Sequence, residues 1–239
     1  MHNKIQSLWI GNNLSNNETL CLKSYLAHNK NFYLYTYEQI QNVPTGVTIL
    51  DANSIIKESE VFKDSAGSYA SFADWFRAKM LYINGGWWVD MDSVCLQKFD
   101  FTQDYCISSE RSRISGQQNI NNGFLKFPAG DKVIERLLLN IERRISENEI
   151  IEWGTLGIFL FNRIINLYPE LFQYIAKPEV FCPLDHFDLS SLICKSEVEF
   201  TRETYTVHLW NEIWKRGELS KNCTYHPESV YERLKEKYL

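Results

Sequence analysis

The chain has 239 residues, of which 44% are apolar and 23% charged, and its formal net charge at pH 7 is −5. A chain of this length can bury a sizeable hydrophobic core as one domain. Its acidic balance argues against a broadly basic surface of the kind that binds nucleic acid. Because no apolar run reaches the ~18 residues of a membrane-spanning helix, we expect at most a peripheral contact with a membrane.

Six cysteines are scattered along the chain, and none forms a Cys-x-x-Cys pair with another. We therefore expect free thiols in a reducing cytosol rather than a disulfide framework or a zinc site. The first residues, 1–6, also lack the apolar core of a signal peptide. Together these features predict a cytoplasmic protein.

Short β-rich segments alternate with helical segments in the first half of the chain. Strands are predicted at residues 5–10, 32–37, 47–51 and 87–89, and helices at residues 18–28 and 71–83. This alternation is typical of a parallel or mixed sheet in an α/β domain, where ligands bind at the carboxyl ends of the strands. No internal repeat or linker divides the chain, so a single domain is predicted.

The second half of the chain is less regular. Residues 100–122 are polar and rich in Ser, Asn and Gln, so loops and short strands are predicted there. Apolar periodicity predicts helices at residues 130–145, 155–167 and 230–239, and alternation predicts a strand at residues 204–207.

Two carboxylates, Asp90 and Asp92, follow the predicted buried strand 87–89. Gly85 and Gly86 before this strand are predicted to end the preceding helix. In an extended chain, residues two apart point to the same side, so both carboxylates are expected to face one spot. Their hard oxygen atoms could hold a hydrated Mg²⁺ or Mn²⁺ that bridges to a diphosphate.

The helix at 71–83 carries a predicted core-facing stripe and a charged pair. The stripe consists of Phe72, Phe76, Met80 and Ile83. Asp74 and Arg77 are three residues apart and share another face, where an ordinary surface ion pair would contribute a few tenths of a kcal/mol. The alternative is a carboxylate for sugar hydroxyls and a guanidinium for phosphate or sugar oxygens.

Three segments, 72–77, 81–82 and 85–92, resemble the DXD-containing sugar transferases. That family includes the yeast initiating mannosyltransferase, bacterial capsule and lipooligosaccharide sugar transferases and, more distantly, the glucosylating clostridial toxins. Weaker similarity at residues 7–11 and 207–211 extends the resemblance over most of the chain.

The resemblance implies a GT-A-like fold: one α/β domain with a Rossmann-like mixed sheet flanked by helices and an irregular C-terminal half. In this scheme, residues from about 1 to 100 bind the nucleotide sugar and the metal. Residues from about 101 to 239 then form the acceptor side and a C-terminal closing segment.

The resemblance also implies a site for Mn²⁺ or Mg²⁺ in which His208 joins Asp90 and Asp92. A neutral imidazole is a good manganese ligand, although a lone histidine is more often structural or exposed. Asp74 and Arg77 become, by the same resemblance, catalytic residues that also bind the nucleotide sugar.

Three further residues take donor-binding roles by resemblance. Trp9 would stack on the donor base, Asn122 would line the sugar pocket, and Trp210 would donate its indole N–H to the diphosphate. The sequence leaves structural alternatives open, because both tryptophans suit core packing and Asn122-Gly123 suits an ordinary turn.

Two departures from the family pattern limit this transfer of roles. Residues 152–157 lack the Gly-Pro often found there, which leaves the acceptor-side contacts unassigned. Ser7 or Gln6 replaces a histidine of the opening strand, so that contact is not transferred.

The leading hypothesis is a metal-dependent glycosyltransferase with Asp74, Arg77, Asp90 and Asp92 as catalytic residues. By resemblance it moves a hexose from a UDP-linked sugar to a glycan or lipid-linked glycan acceptor, with retention, in bacterial surface polysaccharide synthesis. The expected place is the cytoplasm, at most peripheral to the inner membrane. No enzymic nucleophile is evident, so front-side attack by the acceptor is the default mechanism.

Two alternatives remain open from the sequence. In a haloacid-dehalogenase-type phosphohydrolase, Asp90 would be the nucleophile and Asp92 the general acid, but a later lysine and acidic pair are poorly matched. A non-catalytic sugar-binding protein is the other alternative, and the complete Asp-x-Asp motif argues against it.

Overall fold

The computed structural model describes residues 4–114, 116–147 and 150–239, and its central feature is a mixed β-sheet. The described strands are β1 (Ile5–Trp9), β2 (Phe32–Thr36), β3 (Val47–Asp51), β4 (Gly86–Val89), β5 (Ser93–Cys95), β6 (Cys106–Arg111), β7 (Gln118–Phe127) and β8 (Thr206–His208). Six of them form the main sheet in the order β3-β2-β1-β4-β7-β6, and β5 pairs with β8 in a small second sheet.

Strands β1 to β4 run parallel in the main sheet, whereas β7 runs antiparallel to both β4 and β6. The register between β1 and β4 pairs Gln6 with Trp88, so the chain leaves both strands at the same edge. Trp9 and Asp90 therefore lie at the carboxyl edge, where open α/β sheets bind their ligands. The sequence prediction of a mixed α/β sheet flanked by helices is confirmed.

Helices cover both faces of this sheet. They are α1 (Asn16–His28), α2 (Ala70–Asn84), α3 (Lys132–Glu147), α4 (Ile158–Ile165), α5 (Pro178–Phe181), α6 (Ser190–Ile193), α7 (Asn211–Arg216) and α8 (Val230–Tyr238). Neighbouring residues of a strand point to opposite faces, so β4 divides the core into two layers. Trp88 packs into the cluster that includes Phe76 of α2, and Trp87 packs into the cluster that includes Tyr25 of α1.

The turn from α2 into β4 depends on its first glycine. Gly85 has a φ of 61°, and a Cβ there would lie 2.5 Å from the Ala129 backbone nitrogen. Gly86 differs from the sequence prediction, because it does not end the helix but opens β4 and pairs with Phe127. Ile83, in the last turn of α2, is 48% exposed, so the core-facing stripe ends at Met80.

The largest difference from the sequence prediction lies in residues 100–122, where a long β6–β7 hairpin replaces the expected loops and short strands. Its polar side chains are accommodated because the outer end of the hairpin is exposed and an inner amide is paired. Asn121 Nδ2 donates to Glu110 Oε2 over 2.6 Å. Asn121 and Asn122 lie within β7, so the alternative of an ordinary turn is wrong.

The cysteines and the helices of the structure bear on two further predictions, those of free thiols and of no membrane-spanning helix. All six cysteines are free, and four of them are buried, which confirms that the chain holds no disulfide framework. Within the described residues, no helix combines the length and apolar character needed to cross a bilayer.

Candidate active site

Helix α2 delivers a buried arginine between two carboxylates. Arg77 Nη1 lies 2.6 Å from Asp74 Oδ1, and Nη2 lies 2.8 Å from Asp90 Oδ1. Arg77 is only 7% exposed, and its guanidinium lies over the Trp88 ring, 4.8 Å from the ring centroid. The surface ion pair considered from the sequence is therefore wrong: spacing three apart puts Asp74 and Arg77 on one helix face, but that face points into the protein.

Asp90 presents its two oxygens to different neighbours. Oδ1 accepts from Arg77 and, over 2.7 Å, from the Trp88 indole Nε1. Oδ2 lies beside the bare backbone of Gly123, where a Cβ would come within 2.9 Å of Oδ2 and 3.4 Å of His208 Cε1. The missing side chain at Gly123 thus keeps one Asp90 oxygen open toward the imidazole.

Asp90, Asp92 and His208 form a compact set of ligand atoms. One carboxylate oxygen from each aspartate and one imidazole nitrogen all lie within 4.8 Å of one another. The two aspartates converge as expected, but through a turn at Met91 and Asp92 rather than an extended chain. His208 reaches them because β8 pairs antiparallel with β5, opposite Ser93.

The His208 ring is held on several sides. Nε2 lies 3.1 Å from Asp92 Oδ1, and Nδ1 lies 3.8 Å from the sulfur of buried Cys182. Trp210 packs on the ring with a centroid separation of 3.9 Å. The second Asp92 oxygen accepts from the Asn211 backbone N–H over 2.7 Å. Both Asp92 oxygens therefore already have partners.

Charges in this cluster shift the affinities of its groups for protons. Burial alone would raise the pKa of Asp92, but the imidazole of His208 outweighs it and holds the pKa at about 2. Burial alone would lower the pKa of His208, and Asp92 reverses this effect and raises it well above the ordinary value. These shifts share one cause, the attraction between the Asp92 carboxylate and the His208 ring, and they favour the charged form of each group.

Asp74 is oriented for contact with a ligand on one side only. Its Oδ1 accepts from Arg77 and, over 3.0 Å, from Asn122 Nδ2. Its Oδ2 accepts no hydrogen bond from the residues that the structure describes, and a Cβ at Gly157 would overlap it. Burial raises the pKa of Asp74 to about 6, against the lowering effect of Arg77.

The two tryptophans proposed for the donor are partly buried and already hydrogen-bonded. Trp9 ends β1, and its Nε1 donates to the Asn13 carbonyl over 3.2 Å. Trp210 Nε1 donates to the Leu184 carbonyl over 3.1 Å, so its N–H could reach a diphosphate only after breaking that bond. The Trp210 backbone is left-handed, with a φ of 59°, which is a strained conformation for a non-glycine residue.

The donor set suits a divalent cation of the manganese or magnesium type. Carboxylate oxygens are preferred by both ions, and an imidazole nitrogen is accepted by manganese. The open Asp90 oxygen beside Gly123 is the structural feature that fits such an ion. Asp90, Asp92 and His208 could therefore hold a metal ion.

Sequence reasoning missed Cys182 and Gly157 as parts of this site. Cys182 contacts His208 across a separation that no local pattern reveals. Gly157 was noted only for the missing proline, yet its bare backbone is what admits the Asp74 carboxylate.

Comparison with known proteins finds a family match in the first half of the chain. Residues 15–112 match the family described as the glycosyltransferase sugar-binding region containing a DXD motif. This match confirms the sequence resemblance and favours the glycosyltransferase interpretation over the phosphohydrolase one. Residues 15–112 are thus similar to the DXD-containing region of glycosyltransferases, which supports a glycosyltransferase family for this chain.

One solved structure shares the fold of this chain, and two others superpose less closely. The PaToxG glycosyltransferase is 17% identical, covers 72% of both chains and superposes with a TM-score of 0.52, which shows a shared fold. Two structures of the glycosyltransferase GlyE from Streptococcus pneumoniae TIGR4, one of them the apo form, have TM-scores of 0.42 and 0.41 at 15% and 16% identity. They cover 75% of this chain, which spans 46% of theirs. No curated protein matches the sequence.

Proposed function

We propose that the protein is a metal-dependent hexosyltransferase that takes a hexose from a UDP-linked sugar. Its acceptor is a glycan or lipid-linked glycan of bacterial surface polysaccharide synthesis, and the reaction retains the anomeric configuration. The observation that carries this proposal is the set of Asp90, Asp92 and His208 ligand atoms within 4.8 Å, adjoining the buried Arg77. We place the reaction in the cytoplasm, at most in peripheral contact with the inner membrane.

In this proposal, the metal cluster binds the diphosphate end of the donor. A bound Mn²⁺ or Mg²⁺ would supply positive charge that stabilises the leaving UDP. An Nδ1–H of His208 that donates to the Cys182 sulfur, 3.8 Å away, would leave Nε2 as the coordinating nitrogen. Arg77 fixes the Asp90 carboxylate through Oδ1 and leaves Oδ2 for the metal.

Asp74 and Asn122 are proposed to bind the sugar end of the donor. Asp74 Oδ2 is free to accept from a sugar hydroxyl, while Asn122 and Arg77 hold Oδ1 in place. Such an ionised, pre-oriented acceptor costs little reorganisation when the reaction begins. Trp9, at the carboxyl edge beside β4, is proposed to stack on the uracil ring.

Front-side attack by the acceptor is the mechanism that these carboxylates support. In this proposal Asp90 and Asp92 hold the metal and Asp74 accepts from a sugar hydroxyl, so none of the three is assigned as a nucleophile. The bond between the sugar C1 and the diphosphate oxygen breaks as the acceptor oxygen bonds to C1 on the same face. The acceptor hydroxyl proton passes to the departing phosphate oxygen, and UDP is released.

Donor hydrolysis tests this proposal without knowledge of the acceptor. UDP-sugars are incubated with the protein and Mn²⁺, and UDP release is measured with and without EDTA. We expect release that requires Mn²⁺ and that falls at least ~100-fold in Asp92→Ala. Asp104→Ala, which removes an exposed carboxylate outside the site, serves as the control. Equal UDP release in EDTA would contradict metal dependence.

A further inference from the structure

A second concave site lies beside the candidate active site. It is an open cleft of about 600 Å³ between the outer end of the β6–β7 hairpin and residues 177–187. Six of the residues that line it determine its chemistry: Arg111, Arg113, Gln118, Lys177, Asp185 and Phe187. A volume of this size is typical of pockets that bind small organic ligands.

The inner wall of the cleft is polar but close to charge balance. Arg111 Nη2 lies 2.5 Å from Glu179, and its Nη1 lies 3.0 Å from Asp185 Oδ1 and 2.9 Å from the Pro183 carbonyl. These carboxylates compensate Arg111, so the wall does not present the strong positive field that a polyanion requires. It presents closely spaced donors and acceptors instead.

The rim of the cleft adds an exposed aromatic ring and two exposed cationic donors. Phe187 is 40% exposed, and the Arg113 guanidinium lies over its ring at 5.7 Å. Arg113 and Lys177 make no ion pair with any residue in the described part of the chain. An aromatic face for C–H groups, beside groups that pair with hydroxyls, is a surface suited to a saccharide.

The cleft shares two structural walls with the active site. Residues 182–187 have one side toward the metal cluster, where Cys182 contacts His208 and Leu184 O accepts from Trp210. Asp185 and Phe187 of the same segment line the cleft. Along β7, Gln118 in the cleft and Asn122 in the donor site are about 13 Å apart.

We infer that this cleft binds the acceptor, and that the acceptor is an uncharged or weakly charged oligosaccharide longer than one sugar ring. The inference rests on the proposed glycosyltransfer and names its second substrate. The separation along β7 exceeds one ring, so a sugar in the cleft belongs to a chain whose reacting hydroxyl reaches inward to the donor. Contacts in the cleft hold the acceptor and take no part in breaking the donor bond.

Two readouts on one protein test this inference. Donor hydrolysis without acceptor reports on the proposed function alone. Transfer of radiolabelled sugar to an array of immobilised oligosaccharides of increasing length, with peptides and proteins on the same array, reports on the cleft. We expect transfer to the longer oligosaccharides to exceed transfer to disaccharides. In the double variant Arg113→Ala/Phe187→Ala, transfer should fall at least ~10-fold while donor hydrolysis stays at the wild-type rate.

The double variant Arg136→Ala/Phe172→Ala provides the matched control, because it removes an exposed arginine and an exposed phenylalanine outside the cleft. Its transfer should equal that of the wild type. Wild-type transfer by Arg113→Ala/Phe187→Ala would overturn the inference, and so would labelling of peptides or proteins with no oligosaccharide labelled. Absence of donor hydrolysis in the wild type would instead contradict the proposed function.

Discussion

Arg77 is the side chain whose surroundings differ most from those of an ordinary surface arginine. It bridges Asp74 and Asp90 from a buried position and lies over the Trp88 ring. Without it, the partly buried carboxylates of Asp74 and Asp90 would lose the positive charge between them. Its guanidinium therefore has both a structural and an electrostatic reason to be present.

We predict that Arg77→Lys lowers donor hydrolysis at least ~100-fold, because one ammonium cannot bridge both carboxylates as the planar guanidinium does. Lys79→Ala is the control on the same helix, since it removes a partly exposed ion pair with Glu142 at 3.1 Å and a contact with the Trp75 ring. It should cost at most about 1 kcal/mol of stability and leave hydrolysis unchanged. Near-normal donor hydrolysis by Arg77→Lys would show that the role of Arg77 is purely structural.

The raised pKa of Asp74 predicts that donor hydrolysis slows at acidic pH. Its pKa is raised to about 6, and the ionised carboxylate is a much stronger acceptor for a sugar hydroxyl than the protonated acid is. At saturating Mn²⁺, kcat/KM for donor hydrolysis should fall about tenfold per pH unit below this value. Asn122→Ala removes a hydrogen bond that lowers the pKa of Asp74, so the loss of activity in acid should begin at a higher pH. An unchanged pH dependence of donor hydrolysis in Asn122→Ala would contradict the assignment of this titration to Asp74.

The same raised pKa has a defined effect on folding. Because the folded pKa exceeds the ordinary value of 3.8, the contribution of Asp74 to stability is present at low pH and is lost as the pH rises through about 6. Asp74 therefore favours the folded state in acid, in contrast to Asp92, whose lowered pKa contributes stability that is lost as the pH falls toward about 2.

At the level of elements, the pairing of β5 with β8 creates the candidate metal site. It sets His208 opposite Ser93 and beside Asp92, while the chain after α5 places Cys182 behind the ring. A sulfur acceptor at Nδ1 orients the imidazole in the way that partners of metal ligands commonly do. Loss of this acceptor should thus affect metal binding more than folding.

We predict that Cys182→Ala weakens Mn²⁺ binding by about 10-fold, because His208 Nδ1 loses its acceptor. Cys182→Ser keeps an acceptor and should bind Mn²⁺ nearly as the wild type does. Electron paramagnetic resonance of free Mn²⁺, in the presence of UDP, measures the affinity, and nitrogen NMR shifts of His208 report its tautomer. Equal affinities of the alanine and serine variants would show that Cys182 only fills space.

Elements with a strong local pattern could be predicted from the sequence, and elements defined by distant contacts could not. The strands before residue 90 and helix α2 follow from apolar periodicity and glycine positions, whereas the turn at Met91 and Asp92 replaces an expected extended chain. Strand β7 was missed because its polar residues are stabilised by Glu110 and by the adjoining site rather than by a local apolar pattern. Helix α4 was predicted to begin too early, since residues 153–157 turn around Asp74.

At the scale of the whole molecule, the fold gathers distant parts of the chain at the carboxyl edge of one sheet. Asp74 comes from α2, Asp90 and Asp92 follow β4, and His208 ends β8. The family resemblance predicted these residues as one site, and the structure brings them together. Their catalytic roles, like the assignment of the two halves of the chain to donor and acceptor, stay predictions.

The central claim is that Asp90, Asp92 and His208 bind a divalent cation together with UDP. Calorimetric titration of Mn²⁺ into the protein with UDP present tests it most directly. We predict saturable binding of a single ion per chain, weakened at least ~10-fold in Asp92→Asn and in His208→Ala. Asp104→Asn should bind as the wild type does. Unchanged Mn²⁺ affinity in both site variants would contradict the account.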